Sequence, residues 1–117
     1  VEVVLVLRCR PIPTHVGKAP SGVDLLACVD DQRAHLTLFA VNLRREPVTL
    51  ALEPAAADDA WTPIRAESVR DVADMRQPDV MNHAQAPDRV KTTPLKPRGS
   101  TIALPALSVT AVECARR

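Results

Sequence analysis

The chain has 117 residues, the length of one domain, and is too short for a complete α/β-barrel enzyme of roughly 250 residues. Hydrophobic residues make up 46% of it and charged residues 25%, which is typical of a folded globular protein and excludes a disordered tail. The formal net charge is only +1 and the longest apolar run is far shorter than a membrane-spanning helix, so we expect no nucleic-acid partner and no membrane.

The first half of the chain predicts strands joined by stiff loops. Residues 1–8 are apolar on both faces of an extended chain, which indicates a strand covered on two sides, or a place where a second domain packs. Residues 9–21 carry three prolines and a glycine and are expected to form a surface loop. Residues 23–30 and 35–42 are two β-like runs separated by residues 31–34, a spacing that predicts a hairpin.

After a turn, residues 48–53 alternate between apolar and polar side chains, as a strand with one buried face does. Residues 54–60 are predicted to be a loop, since they are too few for a stable helix. Residues 62–72 show a mixed periodicity, for which we predict a strand.

Residues 75–98 contain four prolines and few apolar residues, and we expect a long irregular excursion with a short strand near Val80 and Met81. Residues 101–104 and 108–114 are predicted to be the closing strands. Seven or so strands at such intervals predict a single all-β domain over residues 1–117, an antiparallel β-sandwich of the jelly-roll-like kind.

The residues that could carry chemistry form no recognisable site. Cys9, Cys28 and Cys114 are too widely spaced for a metal or redox motif, and Cys28 is expected to be a small buried hydrophobe. The odd number of cysteines and the lack of an export signal favour free thiols over the alternative, a Cys9–Cys114 disulfide.

The histidines and the acidic residues also lack the spacing of a metal site or a catalytic pair, and no serine lies in a nucleophile motif. The residues considered are His15, His35, His83, Asp30, Asp31, Asp58, Asp59, Asp71, Asp74, Ser21, Ser68, Ser100 and Ser108. We therefore predict no catalytic, cofactor-binding or metal-binding residue in this chain. The two aromatic residues leave one candidate platform for a sugar ring, Trp61, because Phe39 is expected inside a core strand.

Several stretches resemble one known domain. The succession DLLACVDDQRAHLTLFAVN followed by VTLALE, Asn82 followed by Pro87-Asp88-Arg89-Val90, and the closing LPALSVTAVEC resemble the C-terminal domain of family 51 α-L-arabinofuranosidases over the whole chain. His83, Ala86 and Ala106 depart from the family's usual residues at their positions.

The resemblance implies an accessory β-sandwich attached to a catalytic (β/α)8 barrel, in an enzyme that removes terminal non-reducing α-L-arabinofuranosyl residues from arabinan or arabinoxylan with retention. Both catalytic carboxyl groups of such enzymes lie in the barrel, so we expect this chain to be inactive by itself and to need no cofactor. Its expected partners are the barrel, further copies in a homo-oligomer and, through the parent enzyme, arabinose-containing polysaccharide.

Because the chain begins at Val1 and shows no export signal, we expect a piece of a longer, cytoplasmic protein. The alternatives are a stand-alone carbohydrate-binding or interaction module that uses Trp61, and a self-contained hydrolase with carboxylates that no motif reveals.

Overall fold

The computed structural model describes residues 10–12, 22–30, 32, 34–52 and 61–116. Eight strands run through them, and they are numbered in chain order as follows: β1 (Arg10–Ile12), β2 (Val23–Val29), β3 (His35–Asn42), β4 (Val48–Ala51), β5 (Trp61–Asp71), β6 (Val90–Leu95), β7 (Thr101–Leu104) and β8 (Ser108–Arg116). The strand predicted at residues 1–8 and the loop predicted at residues 54–60 lie outside the described residues.

The strands form two antiparallel sheets. The larger sheet has six strands in the order β1-β2-β3-β8-β5-β6, and the smaller one pairs β4 with β7. Strand β8, the last in the chain, therefore lies inside the large sheet, between β3 and β5. The prediction of a single all-β domain of the sandwich type is confirmed.

The core lies between the two sheets and is built from alternate residues of each strand, because successive side chains of a strand point to opposite faces. In β3, Leu36, Leu38 and Ala40 are buried, and in β7 Ile102 and Leu104 are buried against them. The other buried members of the same cluster are Ala27, Val29, Ala66, Val112 and Cys114. The core is thus aliphatic, as a chain with two aromatic residues requires.

A β-bulge explains the mixed periodicity of residues 62–72. Pro63 lies opposite Cys114 and Arg65 opposite Glu113, so Ile64 is an extra residue in β5. One extra residue shifts the alternation by one position, and the side chains of Ala66 and Ser68 are buried beyond it. The strand predicted at residues 62–72 is confirmed, and the bulge is the cause of its mixed periodicity.

Two predictions for the loops are wrong. Residues 10–12, predicted within a loop, form edge strand β1 against β2, and residues 90–95, predicted to be irregular, form edge strand β6 against β5. Each contains a proline, which an edge strand tolerates because its outward side needs no ladder hydrogen bond. Val80 and Met81, where a short strand was predicted, are not in a strand.

Asn42 joins the turns at one end of the sandwich. Its side chain is buried, and its Nδ2 donates hydrogen bonds to the carbonyl oxygens of Glu46 (3.0 Å) and Pro105 (2.9 Å). Its Oδ1 accepts a hydrogen bond from the backbone nitrogen of Arg44 at 3.0 Å. One side chain therefore holds the β3–β4 turn and the β7–β8 turn together.

Candidate functional site

The outward face of the six-stranded sheet carries a continuous apolar surface, here called the outer patch: Leu26, Phe39, Val41, Val69, Val109 and Ala111. The strand register aligns Leu26, Phe39 and Ala111 in one row across the sheet, and Val41, Val109 and Val69 in the next. Leu26, Phe39, Val69 and Val109 are 40–50% exposed (50%, 40%, 43% and 49%). The expectation that Phe39 lies in the core is wrong, because the neighbouring even-numbered residues of β3 fill the inner face.

A groove of about 310 Å³ continues the outer patch at one end of the sheet. Its floor includes Val41, Val69 and Val109 of the patch, and its wall includes Asp74, Arg76 and other residues of the excursion between β5 and β6. The excursion comprises residues 72–89, between β5 and β6, and the irregular stretch predicted at residues 75–98 is confirmed for residues 75–89. The groove thus lies where the excursion meets the outer patch.

Asp71, the last residue of β5, forms hydrogen bonds with both ends of the excursion. Its carboxylate accepts hydrogen bonds from the backbone nitrogens of Ala73 (3.0 Å) and Met75 (3.1 Å), where the excursion begins. At the other end, Arg89 donates to the same carboxylate through Nε at 3.0 Å and through a terminal nitrogen at 3.3 Å. The Arg89 guanidinium, together with the two backbone donors, holds the pKa of Asp71 below its ordinary value.

The excursion has a defined conformation along its length. Asn82 donates to the carbonyl oxygen of Val90 (2.9 Å) and accepts from the Val90 nitrogen (2.6 Å). Asp74 and Arg76 have φ angles of 52° and 54°, a strained region for side chains other than glycine that persists only where surrounding contacts hold it. The Arg76 guanidinium also donates to the carbonyl oxygen of Arg45 at 3.3 Å, which ties the wall to the β3–β4 turn.

We expect the excursion to loosen in acid. The pKa of Asp71 is lowered in the folded protein, so the contribution of its carboxylate is complete above about pH 4, the ordinary value, and is lost as the pH falls through the lower folded value. Hydrogen exchange of the Ala73 and Met75 amides should accelerate over this range relative to amides in β3. Asp71→Asn should show fast exchange of these amides already at neutral pH, because the carboxylate is gone. Protection in this variant equal to that of the unsubstituted chain at pH 7 would contradict this role of Asp71.

Trp61, the predicted sugar platform, lies at the edge of the core. It is half-buried and packs against the core cluster, and the guanidinium carbon of Arg116 lies 5.3 Å from the centre of its ring. An aromatic ring binds a sugar through an open face, whereas here one face carries a cation and part of the ring contacts aliphatic side chains. This geometry is that of a structural residue.

The described histidines lie at separate places in the fold, one of them beside Asp30. His83 is exposed in the excursion, and His35 begins β3 with its Nδ1 3.2 Å from an oxygen of Asp30. Asp30 accepts hydrogen bonds from the Ala34 and His35 nitrogens and so stabilises the turn between β2 and β3. Within residues 10–12, 22–30, 32, 34–52 and 61–116, no group of three His, Cys, Asp or Glu residues could hold a metal ion, and no helix could span a membrane.

No protein-family model matches the sequence, and no curated protein matches it. Solved structures do match. A family 51 α-L-arabinofuranosidase from Bifidobacterium longum aligns with a TM-score of 0.59 and 28% sequence identity, over 89% of this chain and 20% of its own. The chain resembles the C-terminal domain of family 51 α-L-arabinofuranosidases.

Two further arabinofuranosidase structures share the fold. One aligns with a TM-score of 0.56 at 17% identity, over 93% of this chain and 24% of its own. The other, a thermostable family 51 α-L-arabinofuranosidase from Thermotoga petrophila RKU-1, aligns with a TM-score of 0.51 at 20% identity, over 84% and 20% of the two chains. This chain therefore spans about a fifth to a quarter of the length of the arabinofuranosidases it matches.

The arabinofuranosidase resemblance makes the role of Trp61 testable. We expect Trp61→Ala to lower the free energy of unfolding by about 2 kcal/mol, less than a fully buried tryptophan because the ring is partly exposed. We expect it to leave the retention of the chain by arabinan or arabinoxylan in affinity electrophoresis unchanged. Loss of retention without loss of stability would identify Trp61 as a sugar contact.

The two described cysteines, Cys28 and Cys114, are buried free thiols, and the prediction that Cys28 is a small buried hydrophobe is confirmed. Cys9 lies outside the described residues. Burial, reinforced by the neighbouring Glu113 carboxylate, raises the pKa of Cys114 to about 11. Because the thiolate is the reactive form, Cys114 should resist iodoacetamide at pH 8 in the folded chain and react in 6 M urea, as peptide mass mapping would show.

Proposed function

We propose that this domain is a non-catalytic accessory domain of an α-L-arabinofuranosidase, and that it packs on the catalytic domain and stabilises it. The parent enzyme would hydrolyse terminal non-reducing α-L-arabinofuranosyl residues with retention and would make the contacts to arabinose-containing polysaccharide. The observation that carries the proposal is the alignment with the Bifidobacterium longum enzyme, which spans nearly all of this chain and a fifth of the other.

The positions of the described carboxylates support a non-catalytic role. A retaining glycosidase needs two carboxyl groups about 5 Å apart, one of which keeps a raised pKa so that it can donate a proton. Here Glu46 forms an ion pair with Arg44 (2.9 Å), and Glu67 forms one with Arg65 (2.7 Å). The most buried carboxylate among the ion pairs, Asp71, has a lowered pKa and is bound to Arg89, so it is a poor proton donor.

The proposal is tested by reading the coding sequence around these 117 residues and assaying both forms. We expect the frame to include a catalytic barrel with two glutamates at strand ends. The encoded whole protein should release a chromophore from an aryl α-L-arabinofuranoside, and the 117-residue chain should release none above the buffer rate. Turnover by the chain alone, or a frame without a catalytic domain, would contradict the proposal.

A further inference from the structure

We infer that the outer patch, with the groove at its end, is the surface on which the catalytic domain of the same polypeptide docks. The inference rests on the proposed function and adds to it the face of the sandwich that is used. The occupant is an apolar surface of that domain, with side chains that project into the groove.

The two outer faces of the sandwich differ in a way that selects one of them. The outward positions of the β4–β7 sheet hold small side chains, among them Thr49, Ala51 and Ala103. The outer patch instead exposes an aromatic ring and several branched aliphatic side chains in adjacent rows of the six-stranded sheet. Contiguous apolar surface of this kind on a soluble domain marks an interface, whereas small side chains on a strand face do not.

The arginines Arg65, Arg76 and Arg89 beside the outer patch are each paired with a carboxylate, which restricts the chemistry of the occupant. On one side Arg65 binds Glu67, and the nearby Glu113 adds to the raised pKa of Arg65. At the groove, Arg89 binds Asp71 and Arg76 lies 3.5 Å from Asp74. Because these arginines are already paired, and Asp24 opposite Val41 and Glu113 add further carboxylates, the described part of this surface offers no free positive charge to a phosphate or an anionic lipid. Its apolar centre fits an apolar protein surface.

The groove adds a fixed wall to this surface. The excursion is fastened at both ends by Asp71 and strained at Asp74 and Arg76, although its own side chains are mostly exposed. An exposed segment with so many specific hydrogen bonds is preorganised, and preorganisation lowers the entropic cost of receiving a partner. The wall would limit how the docked domain can slide along the sheet.

The test uses the whole enzyme and the 117-residue chain in parallel, with Phe39→Asp in the outer patch and Ala103→Asp as the matched control on the opposite sheet. Both substitutions place a carboxylate at an exposed strand position. In the isolated chain, each should shift the melting temperature by less than about 3 °C, as expected for a surface site. In the whole enzyme, Phe39→Asp should shorten the half-life of arabinofuranosidase activity on heating at least about tenfold, because a carboxylate would be buried without a partner. Ala103→Asp should leave that half-life unchanged.

Val109→Thr, which keeps a branched side chain in the strand, is a second and milder variant that should shorten the half-life in the same direction. Equal half-lives for Phe39→Asp and Ala103→Asp in an enzyme that does carry a catalytic domain would overturn this inference and leave the proposed function standing. Loss of a dimer on light scattering with an unchanged half-life would make a second copy the occupant and would also overturn it. A reading frame without a catalytic domain would overturn both this inference and the proposed function.

Discussion

Asn42→Ala is expected to lower the free energy of unfolding of the chain by about 3 kcal/mol in urea titrations followed by circular dichroism. The substitution removes three hydrogen bonds and leaves the carbonyl oxygens of Glu46 and Pro105 and the nitrogen of Arg44 without that partner. Each intramolecular hydrogen bond contributes about 0.5–1.5 kcal/mol, and the Pro105 carbonyl oxygen keeps the Ser108 hydroxyl as a donor at 2.6 Å. The β3–β4 and β7–β8 turns should show the largest increase in hydrogen exchange.

Asn82→Ala is the matched control, since Asn82 also exchanges hydrogen bonds with backbone groups but is exposed. Water can replace its side chain, so we expect a loss of about 1 kcal/mol or less. Equal losses for the two variants would show that burial of Asn42 contributes nothing, and that the two turns are held by other contacts.

Leu104→Ala is expected to lower the free energy of unfolding by about 3 kcal/mol, within the usual range for a buried leucine. Leu104 is 0% exposed and belongs to β7, so its side chain is part of the contact between the small sheet and the large one. Alanine would leave a cavity there, because the two sheets are held apart by the neighbouring core residues. Thermal and urea unfolding should both report the loss.

Leu26→Ala makes the same chemical change in the outer patch. Leu26 is 50% exposed, so we expect a loss below about 1 kcal/mol in the isolated chain. A loss as large as that of Leu104→Ala would mean that Leu26 is covered within this chain, and it would contradict the description of the outer patch as open.

The sequence predicts the strands whose side chains alternate cleanly, and the hairpin of β2 and β3 is confirmed by the register from Val23–Asn42 to Val29–Leu36. The sequence does not predict the edge strands β1 and β6, because proline disfavours a strand inside a sheet. The sheet order shows that both lie at an edge, where a strand forms ladder hydrogen bonds on one side only. The bulge at Ile64 could not be predicted either, because an extra residue is recognised only from the register with the partner strand.

The outer patch could not be predicted for a related reason. Alternation divides the residues of β3 into two faces but does not say which face is covered, and both faces of this strand carry apolar side chains. Phe39, the largest of them, was therefore assigned to the core. If the outward face of β3 were polar, its alternation would show which face is buried. The apolar side chains on that outward face caused the wrong assignment of Phe39, and the same side chains form the outer patch.

The position of β8 governs when this domain can fold during synthesis. Among the described strands, β8 (residues 108–116) alone lies between β3 and β5 in the six-stranded sheet, so the two halves of that sheet cannot join until residue 116 has left the ribosome. Pairing over such separations is slow, and elongation at about 5–20 residues per second leaves the unpaired edges of β3 and β5 open for several seconds. A ribosome that stalls before residue 108 would hold two incomplete sheets, which are substrates for chaperones and for aggregation.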